Sequence, residues 1–182
     1  MKLIIGNTGL VGKTICETTE FNHYFNTSNI DTFKNIAKDG DELFLSCLPA
    51  TKWMVNKNII GDIQNIYNLI SLISGVTFSK VILISTIDVY GDSPFKSNES
   101  YPINVSKLNY GNNRYLFELL VSEFVKTNKL KIFRLPALFN KHIKKNILFD
   151  LINQNNVESI NSNSQLQWYN LNNLSKDIEK NS

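Results

Sequence analysis

The opening segment of the chain constrains the fold more than any other feature, because a short apolar run meets three regularly spaced glycines there. Lys2–Ile5 carries the apolar run, and Gly6, Gly9 and Gly12 follow at three-residue spacing. An amphipathic segment then extends from residue 10 to about residue 19. An apolar run, a glycine turn and an amphipathic segment in this order predict a strand, a tight turn and a helix.

The predicted turn suits a dinucleotide. Glycines let the turn close and let backbone N–H groups approach a pyrophosphate, while the start of the helix presents the positive end of its dipole. The spacing is G-x-x-G-x-x-G rather than G-x-G-x-x-G, and glycine-rich turns after strands also occur for purely structural reasons. On the cofactor interpretation, the residues that line the pyrophosphate are Gly6, Asn7, Thr8, Gly9, Leu10, Val11 and Gly12.

Strand and helix patterns alternate along the remaining chain. Strand patterns occupy residues 23–27, 42–47, 80–85 and 130–135, and helical patterns occupy residues 32–38, 59–74 and 105–126. The 80–85 segment is nearly continuous in β-branched and apolar residues, which is typical of a strand covered on both faces. This alternation predicts an α/β fold with a doubly wound parallel sheet. Beyond residue 136 we expect a short helix at 147–152 and weaker strands at 157–160 and 167–171.

Composition limits the classes of function. The chain has 182 residues, 42% of them hydrophobic, and a net charge of +3, so we expect a globular protein without a nucleic-acid partner. Cys16 and Cys47 fall in a predicted helix and strand and are expected to be reduced core residues. His23 and His142 lack the spacing of a metal site. The N-terminal apolar run is too short for a signal peptide or a membrane span, which predicts a cytoplasmic protein without a membrane partner.

Two strand ends are candidates for cofactor contact. In a dinucleotide fold the second strand ends at the adenosine ribose, where a carboxylate accepts from the ribose hydroxyls and repels a 2′-phosphate. Asn26 stands there, and Asp31, a few residues later, is expected to cap the next helix. The missing carboxylate favours NADP slightly over NAD. The third strand leads into a loop at the carboxyl end of the sheet, which is formed by Leu48, Pro49 and Ala50.

Further motifs follow the glycines in a fixed order. They read S-T-I-D-V-Y-G at residues 85–91, Y-G-N-N-R with a later glutamate at residues 110–118, F-R-L-P at residues 133–136 and Y-N-L-N-N-L at residues 169–174. Through these motifs the chain resembles the extended short-chain dehydrogenase/reductase superfamily, in its NAD-dependent epimerase/dehydratase group. The resemblance covers nearly the whole chain, and the V-Y-G and tyrosine motifs, at the correct separation, are far more specific than the glycines.

The resemblance implies a Rossmann fold that binds NAD(P) and moves a hydride between the nicotinamide and a carbon of a nucleotide-sugar. It implies that Tyr110 is the acid or base, that Thr86 steadies the substrate oxygen and that Arg114 replaces the family's lysine beside the nicotinamide ribose. A cation one helical turn from a tyrosine favours the tyrosinate. The resemblance assigns Ser85, Tyr110, Arg114 and Pro136 to cofactor binding, and Thr86, Asp88, Val89 and Tyr90 to the substrate.

Three departures from the family pattern affect the predicted reaction. Arg114 keeps the charge of the lysine, but its rigid planar fork is not equivalent to a compact ammonium. Ile87 and Asp88 stand where the dehydratases have an Asp-Glu pair, so dehydration is disfavoured. Residues 1–136 are the expected dinucleotide-binding domain. Residues 137–182 are expected to form an abbreviated substrate-binding part that packs on the same domain.

The sequence is compatible with three functions of different classes. The first is an NAD(P)-dependent nucleotide-sugar epimerase or keto-sugar reductase that uses Thr86, Tyr110 and Arg114. The second is a non-catalytic dinucleotide-binding protein, and a third is a subunit whose substrate cleft another chain completes. Without the motifs, Tyr110 reads as a core aromatic and Thr86 as a residue that satisfies a strand end.

The two long predicted helices also suggest how the chain assembles. The helices at 59–74 and 105–126 are apolar on more than one face. In the family, the equivalent pair packs against its copy as a four-helix bundle. The resemblance therefore implies a two-fold homodimer that uses these faces.

Overall fold

A parallel sheet forms the centre of the fold. In the computed structural model, which describes residues 1–91 and 98–181, five strands pair side by side and all run parallel. They are β1 (Lys2–Ile5), β2 (His23–Phe25), β3 (Glu42–Leu45), β4 (Lys80–Thr86) and β5 (Leu130–Leu135), in the spatial order β2-β1-β3-β4-β5. The order reverses between β1 and β3, and open α/β sheets bind ligands beyond the carboxyl ends of their strands at such a switch point.

Helices cover both faces of this sheet, which confirms the predicted doubly wound α/β fold. They are α1 (Leu10–Cys16), α2 (Phe33–Ile36), α3 (Lys52–Lys57), α4 (Ile59–Ile73), α5 (Tyr110–Phe124), α6 (Ile147–Ile152) and α7 (Leu174–Asn181). Short 3₁₀ turns lie at Ile30–Thr32, Ile87–Tyr90, Val157–Ser159 and Leu171–Asn173. A separate pair of parallel strands consists of β6 (Ala137–Phe139) and β7 (Trp168–Asn170). Within the described residues, every helix is too short or too polar to cross a membrane.

An extended apolar core lies between the sheet and the helices α4 and α5. Ile66 of α4 and Phe117 and Val121 of α5 are buried there with Leu43 of β3 and Val81 of β4. The apolar positions of α4 recur at helical spacing, so one stripe of the helix turns toward the strands. This packing fixes α4 and α5 side by side, and both helices reach the carboxyl end of the sheet.

The opposite face of the sheet is covered by α1 and α7. Ile15 of α1 and Leu174 and Ile178 of α7 pack against Ile4 of β1 and Ile82 of β4. Neighbouring strand residues point to alternate faces, so each central strand serves both cores. Residues 137–182 thus contribute a helix to the main domain, and their role in substrate binding stays a prediction.

Several element ends differ from the predicted ones, for local reasons. The helix predicted over 105–126 begins at Tyr110, because the Asn109 side chain accepts a hydrogen bond from the Asn112 backbone N–H at 2.9 Å and caps the helix. The strand predicted over 157–160 is instead a 3₁₀ turn at Val157–Ser159, which follows Asn156 in the left-handed region at a φ of 51°. The sequence pattern predicts neither α3 nor α7.

We predict that Leu174→Ala lowers the free energy of unfolding by roughly 2–5 kcal/mol, because the Leu174 side chain is buried under the sheet. The matched control is Lys176→Ala in the same helix. Lys176 is exposed, and its truncation should change stability by less than about 0.5 kcal/mol. Urea denaturation followed by circular dichroism measures both variants. Equal stabilities would contradict the packing of α7 on the sheet.

Candidate functional site

A cleft of about 1120 Å³ opens at the carboxyl ends of the strands, around the switch point. Its volume exceeds the roughly 300–1,000 Å³ of ordinary small-molecule pockets, so it has room for an extended ligand or for two ligands together. The predicted site residues that line it are Gly6, Thr8, Gly9, Leu10, Val11, Asn26, Leu48, Pro49, Ala50, Ser85, Thr86, Asp88, Tyr110, Arg114 and Pro136. The lining that the described residues form leaves out Asn7, Gly12, Val89 and Tyr90.

The glycines of the first turn differ in the space that a side chain would have. Gly6 has a φ of +98°, and a Cβ there would overlap the carbonyl oxygen of Ser46 in the loop after β3. A Cβ on Gly12 would overlap the carbonyl oxygen of Gly6. Gly9 has an ordinary extended backbone, and its Cβ would meet the nearest atom at 3.7 Å. The fold thus requires Gly6 and Gly12, whereas Gly9 leaves bare backbone in the cleft, as the close approach of a ligand requires.

Polar side chains border the cleft after β2. The Asn26 amide group donates to the Asn7 side-chain oxygen at 3.4 Å, and its own oxygen accepts from the Ser28 backbone N–H at 2.9 Å. The sequence suggested that Asp31 caps α2, but the residue before that helix is Thr32. Asp31 lies in the 3₁₀ turn before α2, accepts from the Thr32 backbone N–H at 3.1 Å and lines the cleft. A carboxylate therefore stands near this end of the cleft after all.

The turn after β4 brings Thr86 and Asp88 into the cleft. The Thr86 hydroxyl accepts a hydrogen bond from the Asp88 backbone N–H at 3.2 Å and so shapes the turn. Helix α5 packs directly on this turn, and the contact is so close that a Cβ on Gly111 would overlap the carbonyl oxygen of Asp88. The glycine after Tyr110 thus lets the first turn of α5 approach the end of β4. Val89 is buried in this turn.

Tyr110 and Arg114 lie together at the start of α5. The Tyr110 backbone N–H donates to the Asn56 side-chain oxygen at 2.8 Å, and its ring is largely buried. The guanidinium carbon of Arg114 lies 4.6 Å from the centre of the Tyr110 ring, in cation–π contact. The predicted four-residue spacing therefore places both side chains on one face of the helix, within contact distance.

Asp62 of α4, which sequence reasoning missed, binds the Arg114 guanidinium. Both terminal nitrogens of Arg114 donate to the Asp62 carboxylate oxygens at 2.9 Å, and Nη2 also donates to the Pro49 carbonyl oxygen at 2.9 Å. Arg114 Nε is buried without an acceptor among the described residues. Asp62 falls on the same stripe as Ile66 and Ile70, and a carboxylate on an apolar stripe was the signal of a buried partner.

The electrostatics of Tyr110 reverse one expectation. Burial is the main influence on its phenol and raises the pKa of Tyr110. The positive charge of Arg114 opposes this rise in part, while Asp88 and Asp62 add to it. The sequence suggested that Arg114 favours the tyrosinate, but it did not reveal the carboxylate that neutralises Arg114. Burial thus outweighs the charge of Arg114 in its effect on the pKa of Tyr110.

A second polar network braces the site from β5. The Ser85 hydroxyl donates to Glu118 of α5, which is buried and pairs with Arg134 of β5. Arg134 also donates to the Tyr90 hydroxyl at 2.8 Å. Ser85 lines the cleft, but its hydroxyl hydrogen is committed to Glu118. Tyr90, assigned to the substrate by resemblance, helps to tie the turn after β4 to β5.

Two lysines line the cleft, and neither was predicted. Lys52 of α3 pairs with Asp88 at 2.8 Å. Lys145 donates to the Thr51 hydroxyl at 2.7 Å, and partial burial lowers the pKa of Lys145. Lys52 is thus already paired with a carboxylate of the cleft, whereas the bond of Lys145 is to a neutral hydroxyl. In the described ranges, 1–91 and 98–181, His, Cys, Asp and Glu side chains form no group of three or more that could hold a metal ion.

Sequence comparison identifies no relatives: no family model matches the chain, and no curated protein matches it. Solved structures do match. A dTDP-4-dehydrorhamnose reductase from Clostridium acetobutylicum has a TM-score of 0.76 at 17% identity, with 99% of this chain and 69% of that chain covered. A dTDP-4-dehydrorhamnose reductase from Bacillus anthracis, in complex with NADP, has a TM-score of 0.73 at 20% identity, with coverages of 98% and 69%.

An epimerase has the same fold. The UDP-N-acetylglucosamine 4-epimerase from Methanobrevibacter ruminantium, in complex with UDP-N-acetylmuramic acid, has a TM-score of 0.73 at 14% identity, with 96% of this chain and 70% of that chain covered. These likenesses confirm the Rossmann-type fold that the motifs suggested. At such low identity they establish the fold alone.

We predict that Gly12→Ala and Gly9→Ala differ sharply in stability. A Cβ at residue 12 meets the Gly6 carbonyl, so this variant should lose roughly 1–3 kcal/mol or more of unfolding free energy. Gly9→Ala should stay within about 1 kcal/mol of the wild type, because its Cβ has ordinary contacts. Thermal and urea unfolding measure both. A Gly9→Ala variant as unstable as Gly12→Ala would refute the separate role of Gly9.

Proposed function

We propose that this chain is an NAD(P)-dependent enzyme that acts on a nucleotide-sugar, as an epimerase or a keto-sugar reductase. The observation that carries the proposal is that the bare backbone of Gly9 and the side chains of Thr86 and Tyr110 line one cleft. A turn suited to a pyrophosphate and a proton carrier thus share one site. The fold shared with two dTDP-4-dehydrorhamnose reductases and a UDP-N-acetylglucosamine 4-epimerase supports the same function.

The residues of the cleft fit a dinucleotide. The backbone N–H groups of Leu10 and Val11 belong to the first turn of α1, where the helix has no acceptors for them, and would hold the pyrophosphate. Asn26 and Asp31 would contact the adenosine ribose. Asn26 favours NADP and Asp31 favours NAD, because a carboxylate repels a 2′-phosphate. The bound nicotinamide supplies or accepts the hydride.

Thr86 and Tyr110 would handle the oxygen of the reacting sugar carbon. Tyr110 carries the one mobile proton, and the Thr86 hydroxyl steadies the oxygen that gains or loses it. Arg114 keeps the Tyr110 ring in place through its contact with the ring face. Its terminal nitrogens bind Asp62 and Pro49, whereas its Nε has no acceptor among the described residues.

Residues 137–182 would complete the substrate side of the cleft. Leu138, Lys145 and Asn146 from this part line the cleft together with Lys52. An ammonium group on this side suits the diphosphate of a nucleotide-sugar. This is the support for dividing the chain into a dinucleotide-binding domain, 1–136, and a short substrate-binding part, 137–182.

We predict saturable binding of NAD(H) or NADP(H), measured by calorimetric titration, and hydride transfer across a panel of nucleotide-sugars and keto-sugars, measured by nicotinamide absorbance. Tyr110→Phe removes the proton carrier and should lower the rate on the order of 10²–10⁴-fold while cofactor binding persists. Tyr115→Phe in the same helix is the matched control, because Tyr115 borders a separate groove, and it should keep the wild-type rate.

Each outcome of these measurements decides a different part of the proposal. A folded protein that binds no form of the cofactor would remove the proposal entirely. Undiminished hydride transfer by Tyr110→Phe would show that another group carries the proton. Saturable cofactor binding with no hydride transfer from any substrate would instead support a non-catalytic dinucleotide-binding protein.

We also propose that the protein forms a two-fold homodimer through α4 and α5. Ile60 and Tyr67 of α4 and Leu119 of α5 are large apolar side chains that stand exposed. Between the helices, Ile63 and Leu116 line a groove of about 240 Å³ next to Leu119. An apolar surface on two adjacent helices can pack on its own copy across a two-fold axis.

Light scattering should therefore give twice the chain mass of 20.8 kDa at micromolar concentration. Leu119→Glu buries a charge in the proposed interface and should yield a monomer with an unchanged circular dichroism spectrum. Lys126→Glu, an exposed change beyond the end of α5, is the control and should stay dimeric. A wild-type monomer would refute the dimer.

A further inference from the structure

The hydroxyl of Ser85 has a fixed hydrogen-bond polarity. Ser85 stands at the carboxyl end of β4, lines the cleft beside Thr86 and donates to Oε1 of Glu118 at 2.5 Å. A serine hydroxyl carries a single hydrogen, and an ionised carboxylate can only accept. The hydrogen of Ser85 therefore points at Glu118, and its oxygen offers a ligand only lone pairs.

Arg134 of β5 holds the Glu118 carboxylate in this arrangement. Its Nη2 donates to Oε2 of Glu118 at 2.6 Å, and its Nε donates to Oε1 at 3.1 Å. Its Nη1 donates to the Tyr90 hydroxyl at 2.8 Å, so every arm of the guanidinium has a partner. Glu118 is only 2% exposed, and a carboxylate so deeply buried needs a cation of this kind. The ion pair thus keeps the acceptor that takes the Ser85 hydrogen in place.

The neighbouring hydroxyl has the opposite polarity. Thr86 Oγ1 accepts from the Asp88 backbone N–H at 3.2 Å, which uses a lone pair and not the hydrogen. Its hydrogen bond to Asp88 Oδ2 is long, at 3.5 Å, and therefore weak. Thr86 can thus donate to a ligand oxygen, whereas Ser85 can only accept from a ligand.

We propose that the Glu118–Arg134 pair makes Ser85 an obligate acceptor that recognises the carboxamide N–H of the nicotinamide. This rests on the proposed function, in which a hydride passes between the nicotinamide ring and the carbon whose oxygen contacts Thr86. The ring then lies beside Thr86 and close to Ser85. The amide NH₂ is the only hydrogen-bond donor that a nicotinamide ring carries. Glu118 is a positioning residue that acts through Ser85.

Cofactor titration by calorimetry measures this recognition without any reaction. The probes are NAD or NADP, whichever binds the wild type more tightly, and its acetylpyridine analogue, in which a methyl group replaces the amide nitrogen. In Ser85→Ala the preference for the nicotinamide form over the analogue should fall by roughly 2–10-fold, the effect of one hydrogen bond. Ser122→Ala, an exposed change on α5, is the matched control and should keep the wild-type preference.

Glu118→Gln tests the polarity itself. Arg134 has only donors, so the new amide oxygen should face Arg134 and the new NH₂ group should face Ser85. The Ser85 hydrogen then turns to the cleft and donates to the carbonyl that both cofactor forms carry. This variant should also lose the preference, yet bind the analogue roughly 2–10-fold more tightly than Ser85→Ala does. Glu123→Gln, an exposed carboxylate on α5, should change neither affinity.

Each result decides a separate point. A merely structural Glu118 would lower the free energy of unfolding and leave the preference unchanged, which would overturn its positioning role. Ser85→Ala leaves the ion pair intact, so it decides the contact even if Glu118→Gln does not fold. An unchanged preference in Ser85→Ala, with saturable cofactor binding, would overturn this inference and leave the proposed function standing. A folded wild type that binds neither form would overturn the proposed function.

Discussion

Asp62 of α4 and Arg114 of α5 form a buried ion pair where the two helices meet, and the geometry of the site depends on this pair. A buried guanidinium without a carboxylate would cost several kcal/mol, so Asp62 and Arg114 can be buried only as a pair. The planar fork of arginine reaches both oxygens of Asp62 and the Pro49 carbonyl at once, which a lysine ammonium cannot do with the same rigidity. The arginine, which stands where the resemblance leads us to expect a lysine, therefore has a buried partner on another helix.

Close backbone contacts fix the rest of the site. Gly6 packs against Ser46, Gly12 against Gly6 and Gly111 against Asp88, and a Cβ at any of these glycines would overlap a carbonyl oxygen. These contacts hold the turn after β1 and the start of α5 on either side of the cleft. Gly9 differs from them, because its space belongs to the cleft. The glycine motif thus combines two residues that the fold requires with one that leaves bare backbone in the cleft.

Local patterns predicted the elements well. The strand at 130–135 and the helix at 147–152 agree with β5 and α6 residue by residue, because side-chain periodicity reflects each element's own surroundings. Cap geometry was harder to predict, since an asparagine such as Asn109 ends a helical pattern only where its side chain meets a free N–H. The motifs also predicted that Thr86, Tyr110 and Arg114 belong together, and all three line the cleft.

By itself the sequence determined the parallel α/β fold, the glycine turn and the spacing that stacks Arg114 on Tyr110, because each of these depends on residues close together in the chain. Only the tertiary structure decided the charge state around Tyr110. Asp62 lies 52 residues from Arg114, and no local pattern reveals which distant carboxylate will face a buried cation. That choice depends on how α4 and α5 pack on the sheet, and the burial that results from this packing raises the pKa of Tyr110 more than the charge of Arg114 lowers it.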